Sequence, residues 1–197
     1  KNNISCPLDE VDLKLKGDSD EDTIDEKSLG NYEIPRESFP TVQNDGFLKI
    51  KHRPSDQPRS SLNLYFDNGR KVVRNGRSVY TPRPWYEVEV TAQKKERDHK
   101  DYPKGEWIAY VHDEDQKKFY KLNMVTSSGD ITSPKAIQTS GKEGGGRRIL
   151  GELIKGKMER RRVLQKFQKI TDEVLEEYGR DCIELKKISD KTYVMKV

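Results

Sequence analysis

The sequence has 197 residues, of which 31% are hydrophobic and 37% charged, with a formal net charge of +4. A chain of this length buries one core, and it contains no apolar run near the roughly 18 residues of a membrane span and no signal-peptide pattern. Because Cys6 and Cys182 are its only cysteines, a disulfide scaffold and a structural zinc site are excluded, and we expect a cytoplasmic protein with no membrane attachment.

The N-terminal segment and the rest of the chain differ in charge. Residues 1–45 contain 5 Lys/Arg against 12 Asp/Glu, whereas the remainder contains 33 against 22. The segment begins with a short strand-like piece, Val11 to Leu15, and continues into a like-charge run, Gly17 to Asp22, that cannot pack. These features predict an acidic linker joined to a module that binds a polyanion, with an ordinary solvated basic surface as the alternative reading.

A long polar stretch follows the first predicted strand, Phe47 to Ile50. It runs from His52 to Pro84 and contains two turn signals, Asn68-Gly69 and Asn75-Gly76. Such a long connection without predicted structure is unusual in a compact domain and is commonly functional. Residues 53–83 are therefore the first candidate DNA arm, and their cations are Arg53, Arg59, Arg70, Lys71, Arg74, Arg77 and Arg83.

Three further segments show the alternation of half-buried strands: Trp85 to Ala92, Glu106 to His112 and Lys117 to Val125. Asp113 to Gln116 is predicted to join the last two as a hairpin. The next segment, residues 126–141, is rich in Ser, Thr and Gly and offers many hydrogen-bond donors but little to bury. It is the second candidate arm.

Helical periodicity appears near the C-terminus. Apolar residues recur from Ile149 to Met158 and again from Val163 to Tyr178, with Gly179 as a plausible C-cap, and Gly156 together with Arg160 to Arg162 is predicted to mark a break between two helices. Cys182 to Ile188 and Thr192 to Val197 then predict a closing hairpin around Ser189-Asp190. The pattern indicates a mainly β (α+β) barrel or pseudobarrel flanked by helices, with a C-terminal helix and β-hairpin.

No catalytic motif is complete in this sequence. A phospholipase-D-type nuclease needs His-x-Lys, and the residues two positions after His52, His99 and His112 are Pro54, Asp101 and Glu114. A Mg²⁺-dependent nuclease needs an Asp followed by Glu-x-Lys. Glu184-Leu185-Lys186 supplies only the second half, because Asp181 is too close and Asp172 lies in a predicted helix. We therefore predict no catalytic residue, no metal site and no cofactor.

Several motifs resemble a known family. They are Arg83-Pro84-Trp85-Tyr86-Glu87-Val88, Tyr102-Pro103, Trp107 to Asp113, Ser128-Gly129-Asp130, Lys135 to Thr139, and Leu150-Gly151 with Ile154-Lys155. Together, over residues 46–158, they resemble the C-terminal B3-type domain of NgoFVII-like and BfiI-like restriction endonucleases. The first arm departs from the family pattern: Ser61 precedes Leu62 where Gly is usual, and Leu64 and Tyr65 stand where Trp-Gly would be, although Tyr65 could supply the aromatic ring.

The resemblance implies a seven-stranded pseudobarrel whose two arms enter the DNA major groove. In such enzymes a preceding phospholipase-D-like nuclease domain cuts the DNA, and the parent protein usually works as a dimer. Residues 1–45 would then be the tail of that nuclease domain and a linker, and residues 46–197 would be the recognition domain. The parent would be a type II restriction endonuclease, and double-stranded DNA its partner.

The candidate site residues follow from the chemistry of DNA. Phosphates attract cations without regard to sequence, whereas base edges are read by Arg, Lys, Asn, Gln, Asp or Glu. The predicted phosphate contacts are Arg53, Arg59, Lys71, Arg74, Lys94 and Lys95. The predicted base readers are Asn63, Asp67, Arg70 and Arg77 in the first arm and Asp130, Lys135 and Gln138 in the second, and further predicted contacts are Ser61, Tyr65, Asn68, Ser128, Thr132 and Thr139.

Two other functions stay open at this level. The same pseudobarrel could belong to a DNA-binding transcription regulator, which an acidic linker does not exclude. Alternatively, the chain could itself be a Mg²⁺-dependent nuclease that uses Glu184 and Lys186. A purely structural or protein-binding role is least favoured, because it leaves the long basic stretch from His52 to Pro84 without a purpose.

Overall fold

The structure is a computed structural model that describes residues 29–52, 61–67, 69–130, 132–141 and 146–197. Within these ranges the side chains of Ser61, Arg70, Arg74 and Asp130 are not described. The strand-like piece predicted at residues 11–15 lies outside the described residues. None of the helices in the described ranges is long and apolar enough to cross a membrane.

Strands dominate the described chain. The main sheet has the order β2-β9-β10-β6-β7-β8-β5, with β1 added beside β7, and β3 and β4 form a separate two-stranded sheet. The β10–β6 pair is parallel, and the other pairs of the main sheet are antiparallel. The strands are β1 Glu33–Ile34, β2 Leu48–Lys51, β3 Arg70–Arg74, β4 Arg77–Thr81, β5 Val90–Thr91, β6 Gly105–Asp113, β7 Lys118–Asp130, β8 Ser133–Thr139, β9 Cys182–Ser189 and β10 Thr192–Lys196.

A short helix, α1 (Lys94–Arg97), lies between β2 and β8 and brings the sheet close to a closed barrel. The buried Glu96 accepts a hydrogen bond from the backbone N–H of Lys51 at 3.2 Å. Arg97 Nη1 donates to the backbone carbonyl of Ser133 at 2.7 Å. These bonds satisfy backbone groups at the end of β2 and at the start of β8. Helix α1 therefore covers the sheet where its path is not closed by strand pairing. The predicted mainly β pseudobarrel, with seven strands along the sheet path, is confirmed.

Helix α2 (Arg148–Arg160) supplies much of the core outside the sheet. Its apolar stripe is fully buried, as the period predicted, and consists of Ile149, Leu150, Leu153, Ile154 and Met158. Gly151 allows the helix to approach the chain at Tyr86, since a Cβ at this position would lie 2.6 Å from the Tyr86 carbonyl carbon. The helix axis is thereby held directly against the segment that follows β4.

The second predicted helical stretch is only partly correct. Helix α2 ends at Arg160 and helix α3 covers only Asp172–Tyr178, so residues 161–171, here called the interhelical loop, are not helical. Gly156 lies inside α2, whereas the predicted break at the arginine run and the Gly179 C-cap, at φ 78°, are confirmed. The loop buries Leu164 and Ile170 through irregular backbone, which periodicity alone does not distinguish from a helix.

The strand predicted at Trp85 to Ala92 is largely wrong, because only Val90–Thr91 pairs with a neighbour. The backbone turns at its start, where the Glu87 N–H donates to the Pro84 carbonyl at 3.0 Å. Glu87 is also buried, although the alternation placed it on an exposed face. The other predicted strands and the C-terminal hairpin are confirmed, with β7 extending five residues further than expected, to Asp130.

Part of the predicted linker lies against the barrel. Glu33 and Ile34 pair with Tyr120 and Phe119 as strand β1, which is followed by a 3₁₀ helix at Arg36–Ser38. The ring of Phe39 contacts that of Phe119 at a centroid distance of 5.0 Å. The assignment of residues 1–45 to the tail and linker of a preceding domain stays a prediction.

Candidate nucleic-acid interface

The first predicted arm contains a regular β-ribbon. Strands β3 and β4 form this first hairpin, residues 70–81, in which Arg70 pairs with Thr81 and Arg74 with Arg77. Asn75 (φ 51°) and Gly76 (φ 73°) connect the strands, and two positive φ values are the mark of the type I′ turn that the Asn-Gly dipeptide predicts. The expectation of a wholly unstructured arm is therefore wrong, because residues either side of this turn pair as strands.

The first hairpin stands apart from the barrel sheet and exposes apolar as well as charged side chains. Val73 is 72% exposed and Tyr80 is 64% exposed, and Tyr80 pairs with the exposed Lys71 across the ribbon, whereas the exposed Arg77 lies on the opposite face. Val73, Val79 and Tyr80 were not among the site residues predicted from the sequence. The β-branched and aromatic pairs on either side of Asn-Gly were the available signal.

The second predicted arm is built differently from the expected loop. Residues 126–130 belong to β7 and residues 133–139 belong to β8. The tip, here called the second hairpin (residues 127–135), carries the exposed Ser128, Gly129 and Thr132. Ser128 and Gly129 have φ values of 63° and 97°, so the strand bends just before the tip. The aliphatic stem of Lys135 lies beside Gly129, 3.8 Å from where a Cβ on that glycine would stand.

The rest of the second predicted arm forms part of the barrel wall. Ala136 and Ile137 are buried in the core, against the expectation that this segment has little to bury. Thr139 is also buried and its hydroxyl donates to the carbonyl of Gly146. Thr139 therefore belongs to the wall of the barrel and not to the exposed tip.

A buried carboxylate stands at the root of the first hairpin. Arg83 Nη1 donates to Glu87 Oε1 at 2.9 Å, and Arg147 Nη1 lies 3.3 Å from the same oxygen. Arg83 also lies 3.8 Å from the carboxylate of Asp67, which precedes the hairpin. Glu87, whose side chain is only 1% exposed, thus binds two guanidinium groups. Arg83 follows the first hairpin, and Arg147 immediately precedes α2.

The same network continues to the second hairpin. Arg147 Nε donates to the side-chain oxygen of Gln138, and Gln138 Nε2 donates to the Ser127 hydroxyl at 3.2 Å. Arg147 also pairs with Glu89 at 3.5 Å. Polar contacts therefore run without a gap from the root of one hairpin to the root of the other, and Arg97 of α1 also binds Ser133 in the second hairpin. Both hairpins project from neighbouring parts of the barrel.

The chain that returns from the first hairpin is anchored on α2. Trp85 Nε1 and the Tyr86 hydroxyl donate to the two carboxylate oxygens of Glu159 at 2.6 and 2.7 Å. The buried Lys155 donates to the Trp85 carbonyl at 2.6 Å, and its ammonium group lies 4.0 Å from the Trp85 ring centroid. Burial lowers the pKa of Lys155 to about 7, against the opposing effect of the nearby Glu159 and Glu87 carboxylates.

Two predicted site residues in the first arm belong to the hairpin's support. The buried Asn63 donates to the Ile170 carbonyl at 2.8 Å and accepts from the Ile170 N–H at 2.9 Å, which gives its amide a structural use. The ring of the half-buried Tyr65 contacts the rings of Trp85 and Phe167 at 5.5 and 5.3 Å. Both residues lie in the 3₁₀ helix Ser61–Phe66 that leads towards the hairpin.

The remaining predicted cations and polar residues are distributed unevenly. Lys94 and Lys95 are exposed on α1, where Lys94 pairs with Asp98 at 2.6 Å. Only backbone positions are described for Ser61, Arg70, Arg74 and Asp130, and Arg53, Arg59 and Asn68 lie outside the described residues.

The Glu-x-Lys triplet of the nuclease alternative lies on β9. Glu184 pairs with Lys49 at 3.3 Å and with Arg180 at 3.5 Å, and Lys186 Nζ binds the carboxylate of Asp45 at 3.0 Å. These contacts explain the two residues as members of ion pairs between neighbouring segments. In the ranges that the structure describes, no group of three or more His, Cys, Asp or Glu side chains is placed to hold a metal ion.

A nearly closed β-barrel that carries two linked, polar hairpins at neighbouring positions defines the class of B3-like DNA-binding domains. The chain belongs to the family of NgoFVII C-terminal B3-like DNA-binding domains, whose family model matches residues 36–189. No curated protein matches the chain. The family confirms the resemblance seen in the sequence, and it identifies this part of the chain as a DNA-binding domain rather than a catalytic one.

Proposed function

We propose that the chain is the sequence-reading domain of a type II restriction endonuclease and that both hairpins read duplex DNA in the major groove. The observation that carries this proposal is the continuous polar network between the two hairpin roots, through Glu87, Arg147 and Gln138. A network of this kind fixes the distance between two reading elements, which is what recognition of one defined site requires.

The shape and charge of the first hairpin support groove binding. A two-stranded ribbon fits a major groove about 12 Å wide, and this ribbon exposes Lys71 and Arg77 together with Val73 and Tyr80. Cations suit phosphates and guanine, whereas an apolar side chain suits the methyl group of thymine. The hairpin thus offers chemistry for affinity and for sequence at the same time.

Within this proposal the predicted residues divide into readers, phosphate contacts and supports. Asn63 and Thr139 support the fold, and Gln138 positions Arg147. The proposed base readers are Asp67, Arg70, Arg77, Asp130 and Lys135, and the proposed phosphate contacts are Lys71, Arg74, Lys94 and Lys95. Ser128 and Thr132 at the exposed tip add hydroxyl groups that suit phosphate oxygens.

The proposal extends to the parent protein. A nuclease domain preceding this one would perform hydrolysis, and the parent would act as a dimer in the cytoplasm. The family name, which is that of a restriction endonuclease, supports the proposed nuclease activity of the parent.

Selection from a pool of randomised duplexes tests the proposal directly. We expect the chain to enrich one short site and to retain it in a gel without cutting plasmid DNA in the presence of Mg²⁺. Replacing Lys135 by Ala should cost about 1–3 kcal/mol of binding free energy and relax preference at one base pair. The comparison variant Lys94→Ala should weaken all duplexes alike. Failure to retain any duplex at low ionic strength, or retention without enrichment, would overturn the proposal.

A further inference from the structure

The interhelical loop carries a surface that the two hairpins do not explain. Residues 161–171 contain four basic residues and no acidic one. Lys166 Nζ lies 5.0 Å from the ring centroid of the exposed Phe167, and Lys169 Nζ lies 5.6 Å from that of the exposed Phe66. These four residues, Phe66, Lys166, Phe167 and Lys169, are here called the basic–aromatic patch.

The patch is fixed beside the root of the first hairpin. Asn63 holds the backbone of Ile170 through two hydrogen bonds of 2.8 and 2.9 Å, so the end of the loop cannot move away from the 3₁₀ helix Ser61–Phe66. Phe66 itself lies four residues before Arg70, where β3 begins. A duplex held by the first hairpin would therefore pass close to the patch.

The loop is also rigid at its other end. Arg161 makes two hydrogen bonds of 2.8 Å to the carboxylate of Asp115 in the β6–β7 turn, and Leu164 is buried in the core. The exposed residues between Leu164 and Ile170 thus form a short bulge between two buried anchors. Binding by such a segment loses little backbone entropy, because the backbone is already ordered.

We propose that the basic–aromatic patch binds the sugar–phosphate backbone of the same duplex, just outside the base pairs read by the first hairpin. The ammonium groups of Lys166 and Lys169 take phosphates, and the rings of Phe66 and Phe167 cover the deoxyribose carbons between them. The DNA backbone suits this patch better than a protein partner, because every charged residue of the loop is basic and a duplex is a uniform polyanion. This proposal rests on the proposed function.

The contact adds affinity without sequence information. Each phosphate neutralised by a lysine releases condensed counterions, and it steepens the dependence of log K on log salt concentration by about 0.9 for duplex DNA. Removing two lysines should therefore lower the magnitude of that slope by about 2, while the selected sequence stays the same.

Phosphate ethylation interference on the selected duplex tests the proposal. We expect ethylated phosphates on one flank of the site to weaken binding of the unaltered chain, and this flank signal to disappear for Lys166→Gln/Lys169→Gln. The matched control is Lys121→Gln, an exposed change on β7 that is nine residues, or about 30 Å of strand, from the tip at Asp130.

The outcomes separate this proposal from the function on which it rests. If the unaltered chain selects no site, the proposed function fails. If it selects a site, but the double variant keeps both the flank signal and the salt slope, then the patch does not contact DNA and only the present proposal fails. A thermal unfolding curve unchanged in the double variant shows that the comparison concerns binding.

Discussion

Replacing Glu87 by Gln should loosen the link between the two hairpins. The carboxylate is buried and serves Arg83 and Arg147 at 2.9 and 3.3 Å. Removing one partner of a fully buried ion pair costs about 3–5 kcal/mol. Because the arginine side chains are 15% and 30% exposed, water solvates them in part, and we expect a loss of about 2–3 kcal/mol in the free energy of unfolding.

Urea unfolding followed by tryptophan fluorescence measures this loss, since the buried Trp85 lies two residues before Glu87. The matched control is Glu89→Gln, because Glu89 pairs with Arg147 at 3.5 Å but its side chain is 21% exposed. A partly solvated pair of this kind contributes about 0–1 kcal/mol. A Glu87 variant no less stable than the Glu89 variant would refute the reasoning.

The same substitution should affect DNA binding beyond its effect on folding. With Glu87 neutral, Arg147 loses its buried counter-charge, and its bond to Gln138 no longer fixes the second hairpin relative to the first. At a temperature where the variant is fully folded, we expect the substitution to reduce affinity for the preferred duplex more than affinity for unrelated duplexes. Equal weakening for both would show that the network stabilises the fold without setting the spacing of the hairpins.

Three further predictions concern the support of the site. Burial lowers the pKa of His52 to about 4. The free energy of unfolding should therefore fall by about 3 kcal/mol as the pH drops from above 6.5 to 4, because the unfolded chain binds a proton that the buried imidazole does not. Urea unfolding at several pH values should show a weaker pH dependence of stability for His52→Leu. Asn63→Ala should cost about 2 kcal/mol and speed proteolysis of the interhelical loop, because it leaves a buried backbone N–H and carbonyl unpaired; unchanged cleavage would contradict this role. Gly151→Ala should cost about 3 kcal/mol in thermal unfolding through overlap with the Tyr86 backbone, whereas Gly156→Ala in the same helix, whose Cβ meets only a flexible arginine side chain at 3.4 Å, should not destabilise.

The sequence by itself determined the parts of this protein that depend on local pattern. Alternation of apolar and polar residues predicted β6, most of β7 and the C-terminal hairpin, and the helical period predicted α2. The Asn75-Gly76 turn and the Gly179 cap could also be predicted, because positive φ values favour these residue types. The family motifs supplied the barrel and the class of ligand.

Tertiary structure alone decided where these elements stop and what the polar residues do. Glu87 is buried because Arg147, 60 residues further along the chain, joins Arg83 at its carboxylate, and Asn63 supports the fold because it pairs with Ile170, 107 residues further along the chain. Such partners leave no periodic trace, so alternation extended a strand through Glu87 and helical spacing extended a helix through Ile170. Local propensity depends on residues that are adjacent in the sequence, whereas burial of a charge and pairing of a backbone group depend on residues that only folding brings together.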